Sequence, residues 1–166
     1  SSKVRQAFDL EGVDSVTRER YTNTLFGQST LIAKRLVEAG VRFVNVTWDC
    51  YWERLNLQYD CWDNHWALFD VLKRYNLPYF DKTFSALMED LDATGMLDET
   101  LVVVMGEMGR GPKVNAAGGR DHWPFCYSVL LAGGGIRGGS IYGASDSQAA
   151  FPTEKPVCPA DICATV

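Results

Sequence analysis

The sequence predicts an α/β fold with a mostly parallel sheet flanked by helices, and three observations support this prediction. Helical spacing alternates with short apolar runs along the chain, in the order helix, strand, helix, helix, strand, loop, strand. Residues 101–105 are apolar without alternation, as in a strand that helices cover on both faces. The length of 166 residues and a hydrophobic content of 46% suit a single globular domain.

The elements of the first half follow from apolar spacing and from helix-ending residues. An apolar stripe predicts a helix from Asp14 or Ser15 to about residue 39, and Gly40 is placed to end it. Residues 41–47 alternate like a strand, and an irregular, tryptophan-rich stretch over 48–62 follows.

The second half begins with two more predicted helices, over 65–76 and 79–93, the latter with Pro78 in its first turn and Gly95 after its end. Loops and short strands make up most of the rest. The predicted segments are a strand at 101–105, a loop at 106–124, a strand at 126–132, a turn at 133–139, an extended piece at 140–142, a loop at 151–159 and a helix from Pro159.

Composition excludes several classes of function. Lys and Arg number 16 against 21 Asp and Glu, a net charge of −5, which disfavours a nucleic-acid partner. No apolar run approaches the roughly 20 residues of a membrane span. The five cysteines include no Cys-x-x-Cys pair, so neither a disulfide scaffold nor a zinc ribbon is indicated.

The C-terminal residues predict that the chain is part of a longer protein. The helical pattern that begins at Pro159 continues to Val166 without a helix-ending residue, as expected of a chain cut inside a helix. A natural terminus with a frayed last helix is the alternative.

Both histidines of the chain lie close to an aspartate and directly before a tryptophan. His65 follows Asp63 by two residues, and His122 follows Asp121 directly. Carboxylates and imidazoles are ligands for Zn or Mn, and catalytic metal sites commonly use three of them. The alternative for each histidine is an ordinary hydrogen bond to a carbonyl group.

A third group of charged residues follows the predicted strand at 101–105. Glu107 stands in a glycine-rich turn, where a carboxylate can bind a metal or act as a general base. Arg110 and Lys113 could hold an anionic substrate, Arg through a bidentate fork to phosphate or sulfate. A surface turn with solvated charges is the competing interpretation.

Six motifs follow one another in order along nearly the whole chain. They are FGQS at 26–29, LVEAGVRFV at 36–44, WDNH at 62–65, GEMGR at 106–110, GRDHWP at 119–124 and LAGGGIRGG at 131–139. Together these motifs resemble the bacterial domain-of-unknown-function family 1501, which is grouped with the alkaline-phosphatase-like superfamily and described as sulfatase-like.

The resemblance implies metal-dependent hydrolysis of phosphate or sulfate esters, with a divalent ion such as Zn, Ca, Mg or Mn. It implies an alkaline-phosphatase-like fold that is incomplete at both ends, a single partial domain over residues 1–166. The substrate would be a small anionic ester or a sulfated or phosphorylated glycan. The implied metal ligands are Asp63, His65, Glu107, Asp121 and His122, and Arg120 with Arg110 would contact the anion.

The family resemblance also implies a longer parent whose nucleophile lies upstream, so these 166 residues alone should be inactive. A twin-arginine signal, common in the family, would place that parent in the periplasm or outside the cell. The alternative is an exported, non-catalytic binding or structural protein on the same fold. Its carbohydrate-stacking cleft would use the five tryptophans, at positions 48, 52, 62, 66 and 123.

Overall fold

A computed structural model describes residues 2–48 and 62–166, and these divide into two compact units. Within the described residues, the first unit comprises 2–48, 62–63 and 69–94, and the second comprises 64–68 and 95–166. The predicted irregular stretch at 48–62 lies almost wholly outside the described residues.

The first unit is helical. Its elements are α1 Ser2–Ala7, α2 Ser15–Arg20, α3 Leu25–Glu38, α4 Leu68–Val71, a π-helical turn Leu72–Asn76 and α5 Leu77–Ala93. The first residue of α4, Leu68, is assigned to the second unit.

The single helix predicted from Asp14 to residue 39 is two helices, α2 and α3. Asp14 caps α2 by accepting the Thr17 amide at 2.9 Å, as its position predicts. Thr22 then adopts a left-handed φ of 65°, which breaks the helix, and Thr24 caps α3. The apolar spacing could not show this break because Thr22 carries no helix-ending signature. Gly40 follows α3 with a φ of 89°, as expected of a helix-ending glycine.

The core of the first unit forms where α3 and α5 pack together. Tyr21, Leu31 and Ala86 are its buried centre, with Leu10, Val13 and Leu87 packed around them. Thr83, fully buried on α5, donates a hydrogen bond to the Tyr21 carbonyl at 3.1 Å. This bond satisfies a backbone acceptor that the helix break leaves without a helical partner.

A charged network lies beside this core and is centred on Asp90. Arg20 Nη1 contacts Asp90 Oδ1 at 2.8 Å, the Tyr21 hydroxyl donates to Oδ2 at 2.9 Å, and Lys34 Nζ lies 3.5 Å from Oδ2. Burial opposes ionisation of Asp90, but the hydrogen bonds from Arg20 and Tyr21 and the charge of Lys34 outweigh it and lower the pKa of the carboxyl. Burial raises the pKa of Tyr21, so that hydroxyl remains a donor.

The second unit consists of short antiparallel strand pairs joined by loops, with a C-terminal helix. Its elements are a 3₁₀ turn Met96–Asp98, β1 Val102–Val104, β2 Gly109–Arg110, β3 His122–Trp123, β4 Leu130–Ala132, β5 Ala144–Ser145, β6 Pro152–Glu154 and α6 Pro159–Thr165. The pairs are β1 with β4, β2 with β3, and β5 with β6.

The predicted α/β class with a mostly parallel, alkaline-phosphatase-like sheet is wrong. The sheets of the described residues are three two-stranded antiparallel pairs. The chain passes from β1 to β4 without a helix, whereas parallel neighbours require a crossover connection that is usually helical. Within the apolar run at 101–105, residues 102–104 form β1, are half-buried, and each pair with one residue of β4.

The strand predicted over residues 41–47 is also wrong. This segment belongs to none of the sheets of the described chain, although its side chains alternate. Alternation predicts a strand only where a partner supplies the ladder, and that partner is set by the fold and not by the segment itself.

We find no helix in the described part of the chain that has both the length and the apolar character needed to cross a membrane.

We expect Gly27→Ala to lower the free energy of unfolding by about 1–3 kcal/mol. A Cβ at this position would overlap the Tyr21 carbonyl oxygen and the Thr22 side chain, although alanine favours a helix by about 1 kcal/mol over glycine. Urea unfolding measures the change. Gly12→Ala is the control, because a Cβ there meets nothing within 4 Å. Equal stabilities of the two variants would contradict the close packing.

We expect Asp90→Asn to lower the free energy of unfolding by about 1–3 kcal/mol at neutral pH, because it weakens charged hydrogen bonds. The folded-state pKa of Asp90 is depressed below its ordinary value of 3.8, so its contribution to stability is present above that value and is lost as pH falls through the folded pKa. The deficit of the variant should therefore shrink below about pH 4. Urea unfolding over a pH series tests this, with exposed Asp92→Asn as control. An unchanging deficit would contradict it.

Candidate metal centre

The segment around His65 is held by backbone hydrogen bonds to residues 117–120. The Ala67 amide donates to the Ala117 carbonyl at 3.1 Å, and the Leu68 amide to Gly118 at 3.0 Å. From the other side, the Arg120 amide donates to the Asn64 carbonyl at 3.1 Å. Residues 64–68 therefore lie beside residues 117–120, which immediately precede Asp121 and His122 in the chain.

Glycine makes this close approach possible. A Cβ at Gly119 would overlap the backbone carbonyl of His65, and Gly118 has a left-handed φ of 75°. Any larger residue at 119 would push the His65 backbone away. The first residue of the GRDHWP motif, Gly119, is thus the glycine that packs against the backbone of His65.

The second histidine is placed by the β2–β3 ribbon. His122 pairs across the ribbon with Arg110, and Trp123 pairs with Gly109. A Cβ at Gly109 would overlap the Cys126 carbonyl, so glycine is needed there as well. Opposed residues of an antiparallel pair point to the same face, which puts Arg110 on the face of His122.

The two imidazoles meet through their Nε2 atoms. His65 Nε2 lies 3.2 Å from His122 Nε2, and the ring centroids are 4.9 Å apart. The other nitrogen of His65, Nδ1, lies 3.1 Å from Asp121 Oδ1. A carboxylate accepts only, so a neutral His65 donates from Nδ1 and presents its Nε2 lone pair to His122.

Asp63 completes a group that could hold a metal ion. One ligand atom from each of Asp63, His65 and His122 lies within 4.8 Å of the others. Asp63 is bonded to Asn64, so chain connectivity alone keeps it within two residues of His65. Bonds of about 2.0–2.1 Å in tetrahedral geometry require ligand atoms about 3.3 Å apart, and the imidazole pair already has this spacing.

Asp121 contacts the ring of His65 and is not one of the three grouped donors. Its hydrogen bonds from His65 and from Asn115 lower the pKa of this exposed carboxyl. A carboxylate on the second nitrogen of a ligating histidine fixes the ring and raises its basicity. The predicted role of Asp121 as a direct ligand remains a prediction.

Sequence reasoning missed Asn115. Its amide nitrogen lies 3.0 Å from the His65 carbonyl and 3.3 Å from Asp121 Oδ1, and its amide oxygen accepts the Ala117 and Gly119 amides, each at 3.0 Å. The available signal was an asparagine before two small residues and two glycines, a combination typical of a side-chain-closed turn.

The predicted anion contacts lie close to this group in the chain and in the ribbon. Arg110 Nη1 donates to the Arg120 carbonyl at 3.3 Å. Arg120 Nε is buried and makes no hydrogen bond to any of the described residues. A buried donor in that state is costly unless a ligand or water satisfies it.

Glu107 is not in the grouped donors of the described residues, although the sequence suggested it as a ligand. It lies exposed in the turn between β1 and β2. Its assignment as a ligand remains a prediction.

The tryptophans proposed for a carbohydrate cleft pack against other rings in each unit. In the first unit, Trp48 stacks on Phe26 at 4.4 Å and meets Trp62 edge-on at 5.3 Å. In the second, Trp123 meets Phe125 at 5.2 Å. Trp66 is exposed beside Gly118, and Trp52 lies outside the described residues.

We expect Gly119→Ala to destabilise the second unit by about 1–3 kcal/mol, because its Cβ would overlap the His65 carbonyl. Chemical unfolding followed by tryptophan fluorescence measures the effect. Gly138→Ala is the matched control, since a Cβ there meets nothing within 4 Å. Equal destabilisation by both variants would show that the His65 backbone does not pack closely against Gly119.

Comparison with known proteins gives a family and no characterised relative. No curated protein and no solved structure matches the chain. A family model described as "Protein of unknown function (DUF1501)" matches residues 1–166. The match covers the motifs that build the site, from the glycines at 118 and 119 to both histidines. The chain therefore belongs to the DUF1501 family.

Proposed function

We propose that this chain binds a divalent metal ion through Asp63, His65 and His122 and forms part of a metal-dependent hydrolase of phosphate or sulfate esters. The observation that carries the proposal is the 3.2 Å separation of the two imidazole Nε2 atoms, with the far nitrogen of His65 on Asp121. Two lone pairs at this spacing suit a shared cation.

The donor set narrows the choice of metal. Two imidazoles and one carboxylate suit Zn or Mn, whereas Ca and Mg prefer sites made entirely of oxygen atoms. Such an ion supplies a Lewis acid for a phosphoryl or sulfuryl oxygen. Asp63 is exposed, so its carboxylate can rotate toward a bound ion without repacking a core.

Positive charge beside the imidazoles favours an anionic substrate. Arg110 shares the ribbon face of His122, where its guanidinium can bind a tetrahedral oxyanion through two parallel hydrogen bonds. Arg120 contributes a buried Nε that no described residue satisfies. Both arginines would bind and orient the ester and leave the proton chemistry to other groups.

The proposal rests on these side chains and not on a superfamily fold. Placement in the alkaline-phosphatase-like superfamily remains a prediction, and the described residues lack that superfamily's parallel sheet.

Metal titration of the chain tests the binding step, with Zn, Mn, Ca and Mg as the probes. We expect Zn or Mn to bind most tightly and His65→Ala or His122→Ala to weaken binding at least about 100-fold, since each removes one of three donors. Asp63→Asn should weaken it as well, and Asp98→Asn is its control because Asp98 is exposed in another turn. Binding unchanged by either histidine variant would refute the site.

Hydrolysis of an aryl phosphate and an aryl sulfate by the full-length protein tests the catalytic step. We expect His65→Ala and His122→Ala to abolish turnover of the preferred ester, and Arg110→Gln to raise KM about tenfold by removing a bidentate contact. Exposed Arg137→Gln is the control for lost positive charge. Metal binding without hydrolysis of either ester would leave a binding protein and refute the hydrolase.

A further inference from the structure

We propose that Asn115 is a positioning residue that fixes the ring orientation and tautomer of His65 through Asp121. This inference deepens the proposed function. Only the expected effect on metal affinity rests on that function, whereas the effect on the His65 tautomer does not. Asn115 contacts neither the grouped donor atoms nor, in the proposed site, a substrate.

Asp121 is held in place by hydrogen bonds and not by burial. Its side chain is 72% exposed, so burial does not hold it in one rotamer. Hydrogen bonds from His65 Nδ1 and Asn115 Nδ2 both reach its Oδ1 atom. Of these two donors, Asn115 lies only 6 residues from Asp121 in the chain, whereas His65 lies 56 residues away.

The second contact of Asn115 ties the same amide to the His65 backbone. Its Nδ2 atom lies 3.0 Å from the His65 carbonyl oxygen. One amide group therefore fixes both the backbone that carries the ring and the carboxylate that the ring contacts. An NH₂ group has two hydrogens, which matches the two acceptors.

The oxygen of the same side chain keeps Asn115 itself in place. It accepts the amides of Ala117 and Gly119, while the Asn115 backbone amide donates to the Gly119 carbonyl at 2.8 Å. The orientation of the Asn115 side chain is thus set by two donors on one end and two acceptors on the other. The two ends of the amide have separate roles: the oxygen closes the turn, and the nitrogen positions His65.

Two variants separate the role of the amide oxygen from that of the amide nitrogen. Asn115→Ala removes both ends without adding charge. Asn115→Asp keeps an oxygen for the Ala117 and Gly119 amides but replaces the donor with a second oxygen, which repels Asp121. The control for the added charge is Asn23→Asp, an exposed loop residue of the first unit.

The direct readout is the nitrogen spectrum of the imidazoles in metal-free protein at mildly alkaline pH, where a free imidazole is neutral. The chain has two histidines, and His122→Gln assigns their signals. We expect His65 of the wild type to be a single tautomer protonated at Nδ1. In Asn115→Ala and Asn115→Asp both tautomers should be populated, whereas Asn23→Asp should resemble the wild type.

Cobalt affinity completes the test. Both variants should bind Co²⁺ about tenfold more weakly than the wild type. An unchanged His65 tautomer in Asn115→Ala or, should that variant not fold, in Asn115→Asp would overturn the proposal. If the wild type binds no Co²⁺, the proposed metal site fails, and the metal-free spectrum still decides the role of Asn115.

Discussion

The candidate site depends on one backbone pairing, that of residues 64–68 with residues 117–120. Three hydrogen bonds between these segments, at 3.0–3.1 Å, join residues that are 50 to 56 positions apart in the chain. Because His65 lies within the first segment and His122 lies two residues after the second, the pairing places the imidazoles side by side. Gly119 permits it, since a Cβ there would occupy the space of the His65 carbonyl.

The order of polar contacts around His65 follows from that pairing. Asn115 closes the turn that carries Gly119 and holds Asp121, and Asp121 holds Nδ1 of the ring. Nε2 then faces the second imidazole at 3.2 Å. At this distance one imidazole can donate a hydrogen bond to the other, and if both Nε2 atoms carry lone pairs they can face the proposed cation together.

The sequence predicted much of the site and little of the sheet. Asp63, His65 and His122 were selected because donor residues recur in similar settings, and this local signal does not depend on the global fold. Asn115 was missed because its role lies in which backbone it touches. The parallel sheet was wrong because an apolar run such as 101–105 predicts burial but not the direction of its partner. The break at Thr22 was missed since a left-handed threonine leaves no pattern in the apolar spacing.

X-ray absorption of the zinc-loaded chain is the sharpest test of the proposed metal centre, because it counts the nearest atoms around the metal and identifies imidazole rings by their outer-shell scattering. We expect two imidazoles with metal–nitrogen bonds of about 2.0–2.1 Å, together with oxygen ligands. A zinc ion surrounded by oxygen atoms alone, or bound to a single imidazole, would contradict it.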